Sequence, residues 1–188
     1  MEMCRTALLS VTHLSDSSID LLVQEGTLRK WKKGAFLLKE GEKCQEIHFI
    51  ESGIIKAFQV KDGKDINLDF YFEHTFATNL KSLRSAESSA YSLQAMEELT
   101  TCSFNKPGLF KLYAISQEIE LWGKSLLESL LVEQEGHSAF FKLYSPEERY
   151  AYILEYKPMI IQRVPLSQLA SYLGITRESL SRIRRRIK

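Results

Sequence analysis

Cysteine is scarce in this chain: Cys4, Cys44 and Cys102 are odd in number and far apart. That suits neither a disulfide framework nor the paired spacing of zinc and iron–sulfur sites, so all three are expected to be reduced thiols. Histidine is equally sparse. His13, His48, His74 and His137 are isolated, whereas a metal-dependent cupin-type enzyme needs several histidines and a carboxylate converging on one ion. His48 lies inside a predicted strand and reads as a structural histidine with its hydrogen bonds satisfied. No nucleophile elbow, HExxH pair or phosphate loop is present. No catalytic residue, metal or cofactor is therefore assigned, and the chain is not expected to be an enzyme. Long apolar runs are missing too, none approaching the roughly 18 residues of a membrane span. Residues 1–10 carry Glu2 and Arg5 and lack the apolar stretch and cleavage site of a secretory signal, so the expected location is the cytoplasm.

Charge is present but unevenly distributed. The net charge of the chain is +1, yet from Arg163 to Lys188 seven basic residues face one acidic, Glu178, giving +6 there and −5 elsewhere. An acidic body with a short basic end is what a polyanion-binding module attached to a regulatory domain looks like. A solvated basic tail is the plainer alternative.

Hydrophobic periodicity divides the chain into stretches of different structure. A short amphipathic helix is predicted from Ser15 or Asp16 to about Val23, with Ile19, Leu22 and Val23 on one face. From Trp31 to Phe104, short apolar runs are punctuated by Gly34, Gly41, Gly53 and Gly63, the mark of antiparallel β structure. Strands are predicted at 35–38, 46–51, 54–60, 66–72, 89–95 and 99–104. Lys61-Asp62-Gly63-Lys64 is the clearest hairpin turn, because Asp-Gly tolerates positive φ. Such strands around one interior suggest a jelly roll or barrel.

Beyond Pro107 and Gly108 the period becomes helical. Ile115, Ile119, Trp122, Leu126 and Leu130 form one stripe. It could pack on the chain's own barrel or form half of a two-helix seam, and the dimer seam is the expectation. A further helix should start at Ser145, where Ser-Pro-Glu-Glu supplies a cap, a proline at the first helical position and acidic groups for the helix dipole. Tyr150, Ile153 and Leu154 are its expected core positions.

The segment Leu166–Ile183 reads as two helices meeting at Gly174. Leu166, Leu169, Ala170 and Leu173 share a face, and Ala170 is small enough for another helix to cross closely. Gly174 can take the left-handed conformation that ends a helix, and Thr176 can cap the next one with Glu178 in its first turn. Leu180, Ile183 and Ile187 then pack inward. Arg177, Glu178, Ser181 and Arg182 are left on the face suited to base edges of the DNA major groove. Ser167, Gln168, Thr176, Arg184, Arg185 and Arg186 are the phosphate candidates. Two packed surface helices with charged exteriors would be the plainer reading of the same segment.

This order of parts resembles the Crp/Fnr regulators across nearly the whole chain. The resemblance is carried by Lys33-Gly-Ala-Phe-Leu-Leu-Lys-Glu-Gly41, Ile47-His-Phe-Ile-Glu-Ser-Gly53 and Ala170-Ser-Tyr-Leu-Gly-Ile-Thr-Arg-Glu-Ser-Leu-Ser-Arg182. It implies an α+β protein of three parts. These are a double-stranded β-helix or jelly-roll sensor domain of the cyclic-nucleotide-binding type over 1–112, a long dimerisation helix over 113–144, and a helix-turn-helix DNA-binding domain over 145–188. It also implies a homodimer on a near-palindromic promoter site, with double-stranded DNA and RNA polymerase as partners and Arg177, Glu178 and Arg182 at base-contacting positions. Cyclic-AMP-binding members carry a Gly-Glu pair and, about ten residues on, an Arg-Ser or Arg-Thr that holds the cyclic phosphate. Here the matching positions are Thr78-Asn79 and Ser89-Ala90. Arg84, in a presumed loop, is the available substitute, and tight cyclic AMP binding is not expected. The clustered N-terminal cysteines of iron–sulfur members are missing, and because the chain stops at Lys188 a following β wing is expected to be lacking. A β-roll interaction module whose helix-turn-helix no longer binds DNA is the alternative.

Overall fold

Gly34, Gly41, Gly53 and Gly63 all adopt positive φ, and the runs between them fold as strands in the computed structural model, which describes residues 2–187. The strands are β1 (Thr27–Trp31), β2 (Phe36–Leu38), β3 (Glu46–Ser52), β4 (Ile55–Lys61), β5 (Lys64–Tyr71), β6 (Phe76–Ala77), β7 (Ser92–Ala95) and β8 (Leu99–Asn105). They form two four-stranded sheets, ordered β1-β8-β3-β6 and β2-β7-β4-β5, with antiparallel pairing in a jelly-roll arrangement. The helices are α1 (Glu2–Val11), α2 (Asp16–Glu25), α3 (Leu80–Ser85), α4 (Lys106–Ile115), α5 (Gln117–Leu143), α6 (Pro146–Tyr156), α7 (Pro158–Arg163), α8 (Leu166–Leu173) and α9 (Arg177–Arg186). The expected α+β class and jelly roll are thus present.

Two compact units emerge. One joins the residues up to Gln59 with Phe70–Leu126; the other joins Val60–Asp69 with the residues from Leu127 onward. In the first, β8 lies between β1 and β3. The register sets Phe49 opposite Cys102 and Ile47 opposite Phe104, and directly opposed residues share a face. That face is covered by Leu8 of α1, Ile19 and Leu22 of α2, Leu112 of α4 and Ile119 of α5, all buried in one cluster. The other face of β3 carries His48, whose Nδ1 lies 2.8 Å from Ser103 Oγ. His48 is therefore a satisfied structural residue. Cys4, Cys44 and Cys102 are free, buried thiols.

Local chemistry explains the element ends. Ser15 caps α2 as the sequence suggests. Glu118 reinforces this start from α5, accepting hydrogen bonds from Ser15 N–H at 2.7 Å, from Ser15 Oγ and from Ser18 Oγ. Asp62 and Gly63 take φ of 52° and 71°, as the Asp-Gly turn between β4 and β5 requires. At Gly53 a Cβ would lie 2.6 Å from the carbonyl oxygen of Glu98, so the two backbones approach closely only because no side chain intervenes.

Several expectations need correction. The long helix begins at Gln117, because α4 ends with Ile115 and the Ser116 N–H closes onto Leu112 O at 3.0 Å. Ile119 is completely buried, and Trp122 and Leu126 pack against the same cluster. The ring of Trp122 meets Phe76 edge-on at 5.6 Å. Those three residues pack on the subunit's own roll, with Trp122 and Leu126 half-buried there: helical period identifies a stripe but not the surface that covers it. Ile115 is exposed, Leu130 half-buried, and Leu121, Leu131, Val132 and the terminal Leu143 are the exposed large apolar residues of α5. Leu154, an expected core position, is also exposed. The strand expected to begin at Ser89 starts at Ser92, because Ser89 is drawn into the hydrogen-bond cluster described below.

Candidate nucleic-acid interface

The second unit contains the segment with the concentrated positive charge. Ser145 caps α6 through a complete capping box with Glu148, and Pro146 occupies the first turn. Tyr150 and Ile153 turn inward. α8 ends in a Schellman motif: Gly174, at φ 72°, donates to Ser171 O at 3.1 Å, and Ile175 N–H donates to Ala170 O at 3.0 Å. These bonds satisfy carbonyls the helix end would otherwise leave bare. Two residues later, Thr176 Oγ1 accepts from Ser179 N–H at 3.2 Å and starts α9. Leu169, Ala170 and Leu173 of α8 are buried together with Leu180 and Ile183 of α9. Ile187 is half-buried at the end.

With the apolar side of α9 turned inward, its charged side must face out. Arg177, Glu178 and Arg182 are exposed, and Ser181 is half-buried beside them. Arg182 donates to Ser179 Oγ at 3.2 Å. The carboxyl of Glu178 is held below its ordinary pKa, first by its own main-chain N–H and then by the Thr176 hydroxyl. It stays ionised at neutral pH and can act as an acceptor.

The phosphate candidates differ among themselves. Ser167, Thr176, Arg184 and Arg185 are exposed. Arg186 is exposed too, but lies 3.3 Å from Glu147 of α6 in an ion pair. Gln168 is half-buried, and its side-chain oxygen is covered without a hydrogen-bond partner. Arg149 is a residue that sequence reasoning missed. Its guanidinium donates to Leu173 O at 3.1 Å and Phe141 O at 2.7 Å, and stacks over the Phe141 ring. No periodicity marks an arginine that satisfies carbonyls on two other helices.

In the first unit, three of the four ligand-pocket candidates come together. Asn79 Oδ1 caps α3 by accepting from Ser82 N–H, and its Nδ2 donates to Ser89 Oγ at 2.6 Å. Ser89 Oγ donates to Tyr91 O, Tyr91 OH to Thr78 O, and Thr78 Oγ1 to Glu46 O. Thr78, Asn79 and Ser89 are buried, and their polar groups are spent on one another or on Glu46 and Tyr91. Arg84 stands apart, exposed in the last turn of α3 rather than in a loop. Among the described residues no cluster of His, Cys, Asp and Glu could hold a metal ion, and no helix is long and apolar enough to cross a membrane.

Comparison with known proteins bears on this arrangement. Residues 28–116 match the family model of the cyclic nucleotide-binding domain. The Anaerobic regulatory protein of Bacillus subtilis (strain 168) is 26% identical over 182 residues, covering 90% of this chain and 76% of that protein. Residues 28–116 thus match a cyclic nucleotide-binding domain, and the chain is similar to regulators of the Crp/Fnr family. Solved structures of the same fold include FixK2 from Bradyrhizobium japonicum, with a TM-score of 0.72, 17% identity, and coverage of 86% of this chain and 84% of that one. The regulator CLP of Xanthomonas campestris, described as c-di-GMP responsive, has a TM-score of 0.69 at 16% identity and covers 92% and 91%. The matched domain model ends at Ser116, between α4 and α5, and the helices from α5 onward lie beyond it.

Proposed function

We propose that this protein is a sequence-specific, DNA-binding transcription regulator of the Crp/Fnr type, acting as a homodimer on a near-palindromic promoter site. The observation that carries the reading is α9. Leu180 and Ile183 are buried behind it, while Arg177, Glu178 and Arg182 stand exposed at its start. Arginine can pair bidentately with guanine O6 and N7, and an ionised glutamate can accept from cytosine N4. Arg177, Glu178, Ser181 and Arg182 read bases, whereas Ser167, Thr176, Arg184 and Arg185 meet phosphates. Arg186 joins them once it leaves Glu147, and Gln168 contributes only if its covered amide turns outward.

Two copies place their α9 helices in successive major grooves about 34 Å apart. The seam between copies runs along the outer side of α5, where Leu121 and Val132 lie three turns apart, opposite Ile119. RNA polymerase is the partner at the promoter, and the cytoplasm is where the chain meets both. The reading involves no catalysis. The effector of the β roll is not cyclic AMP, because Thr78, Asn79 and Ser89 offer no cation for a cyclic phosphate.

Gel-shift selection from random duplex DNA tests this reading. Enrichment of a two-fold symmetric site supports it. Failure to enrich any site at low salt, where phosphate contacts are strongest, would leave the alternative of a β-roll interaction module with an inactive helix-turn-helix.

A further inference from the structure

The tip of the β4–β5 hairpin belongs to the same compact unit as α8 and α9, and it is hydrogen-bonded to α8. Ser171 Oγ donates to the main-chain carbonyl of Asp65 at 2.8 Å and accepts from the Asn67 N–H at 3.0 Å. Asn67 Nδ2 donates to the carbonyl of Gln168 at 3.1 Å. One hydroxyl of α8 thus pairs with the edge of β5 as a neighbouring strand would, through one donor and one acceptor. Asn67 is only 4% exposed, whereas Ser171 and Gln168 are half-buried and Asp65 is exposed, so the contact is buried at Asn67 and open at its rim.

The contact is also incompletely satisfied. The side-chain oxygens of Asn67 and Gln168 are buried without hydrogen-bond partners. Three bonds gained against two acceptors stripped of water leave docking near balance, because an orphaned buried acceptor costs at least as much as a typical bond contributes. Such a contact can open without unfolding the helices. Meanwhile Arg177, Glu178, Arg182 and Arg185 remain exposed while the tip is docked, so the docked state leaves the reading face free.

We propose that residues 60–69 form a latch that orients α8 for DNA binding, with Asn67 and Ser171 as its positioning residues. The inference rests on the DNA-binding reading above. A two-fold site requires both copies of α9 at a fixed separation, and its second half-site gains from the effective concentration that fixed geometry provides. Docking supplies that orientation in advance. Opening leaves each α8–α9 pair intact but lets it wander, so a full site suffers and an isolated half-site does not.

The experiment uses the full chain and two DNA probes, the selected two-fold site and one isolated half-site, with hydrogen exchange at the Asn67 amide measured in parallel. Ser171→Ala is expected to accelerate that exchange, to weaken full-site binding by about tenfold, and to leave half-site binding within about twofold. Ser171→Thr, which keeps the hydroxyl, is expected to restore both readouts, and Asn67→Ala to reproduce the same split between probes. Unchanged thermal unfolding of the variants confirms that the fold survives. The latch is overturned if Ser171→Ala binds the full site as wild type does, if both probes lose affinity equally, or if exchange at Asn67 is unaltered. Wild-type protein that selects no site at all overturns the DNA-binding reading instead, and exchange at Asn67 still decides whether the tip is docked.

Discussion

Arg149 reaches from α6 to the carbonyl of Leu173, 3.1 Å away, and so holds the last residue of α8 directly before the bend at Gly174. The same side chain donates to Phe141 O on α5, tying three helices through two carbonyls. Hydrogen bonds from a charged donor to half-buried carbonyls contribute more than neutral ones. Arg149→Met, which keeps the apolar stem over Phe141, is expected to cost about 1–3 kcal/mol in urea unfolding. A loss within experimental error would show that water replaces the guanidinium at both carbonyls.

Gly174 turns the chain at φ 72°, yet a Cβ there would meet only Arg149 Nη1, at 3.8 Å. Gly174→Ala is therefore expected to cost only the backbone strain of the left-handed region, about 1–2 kcal/mol, and Gly174→Asn less. Gly53→Ala should cost more, since its new methyl group would strike the Glu98 carbonyl. Equal losses in a denaturant series would contradict this ordering.

Burial, and secondarily the charge of Arg29, hold the His48 pKa down to about 4. In the unfolded chain the imidazole binds its proton near the ordinary value of about 6.5. The unfolded state therefore takes up the proton first as pH falls. The stabilisation from neutral His48 is complete above about pH 6.5 and is lost progressively down to about pH 4, to a limit of roughly 3 kcal/mol. Since carboxylates also titrate in this range, the diagnostic is the difference between wild type and His48→Gln. That difference should shrink between neutral pH and pH 4, and a pH-independent difference would exclude His48 as the titrating group.

Arg182→Ala should relax base preference at one position of each half-site and weaken the selected sequence by about 1–3 kcal/mol. Arg185→Ala should weaken all sequences alike and reduce the salt slope by about 1. Competition against single-base variants of the selected site separates the two effects. Unchanged affinity and preference in Arg182→Ala would remove that residue from the base-reading set.

Calorimetric titration with cyclic AMP should give no heat of binding at micromolar concentrations. The buried cluster of Thr78, Asn79 and Ser89 spends its hydrogen bonds internally, and Arg84 is exposed outside it. Micromolar binding would mean that this cluster opens and that a cation reaches it.

Local chemistry was legible wherever a few neighbouring residues settle a conformation. Ser15 and Ser145 announced helix starts, Asp62-Gly63 a hairpin turn, and Gly174 with Thr176 the bend and restart between α8 and α9. Each is decided by a φ angle or a cap within one turn, so sequence is sufficient. The two-residue β6 and the six-residue helices α3 and α7 escaped notice because too few residues display a period, and β1 and α1 escaped although they are as long as elements that were foreseen. Asn67 and Arg149 escaped for a different reason: their partners lie far away in the chain.

The amino-acid order determined the alternation of strand and helix, the inward side of α9 and the concentration of positive charge at its end, because periodicity and capping act over a few residues. Tertiary structure alone decided which surface covers each apolar stripe. Ile119, Trp122 and Leu126 went to the roll, and Leu121, Leu131 and Val132 stayed exposed. It likewise decided that Asn79 and Ser89 satisfy each other while Thr78 turns to Glu46 and Tyr91, and that a hairpin tip docks on Ser171. These outcomes depend on which distant groups meet in space, and a hydrophobic or hydrogen-bonding residue carries no record of its eventual partner.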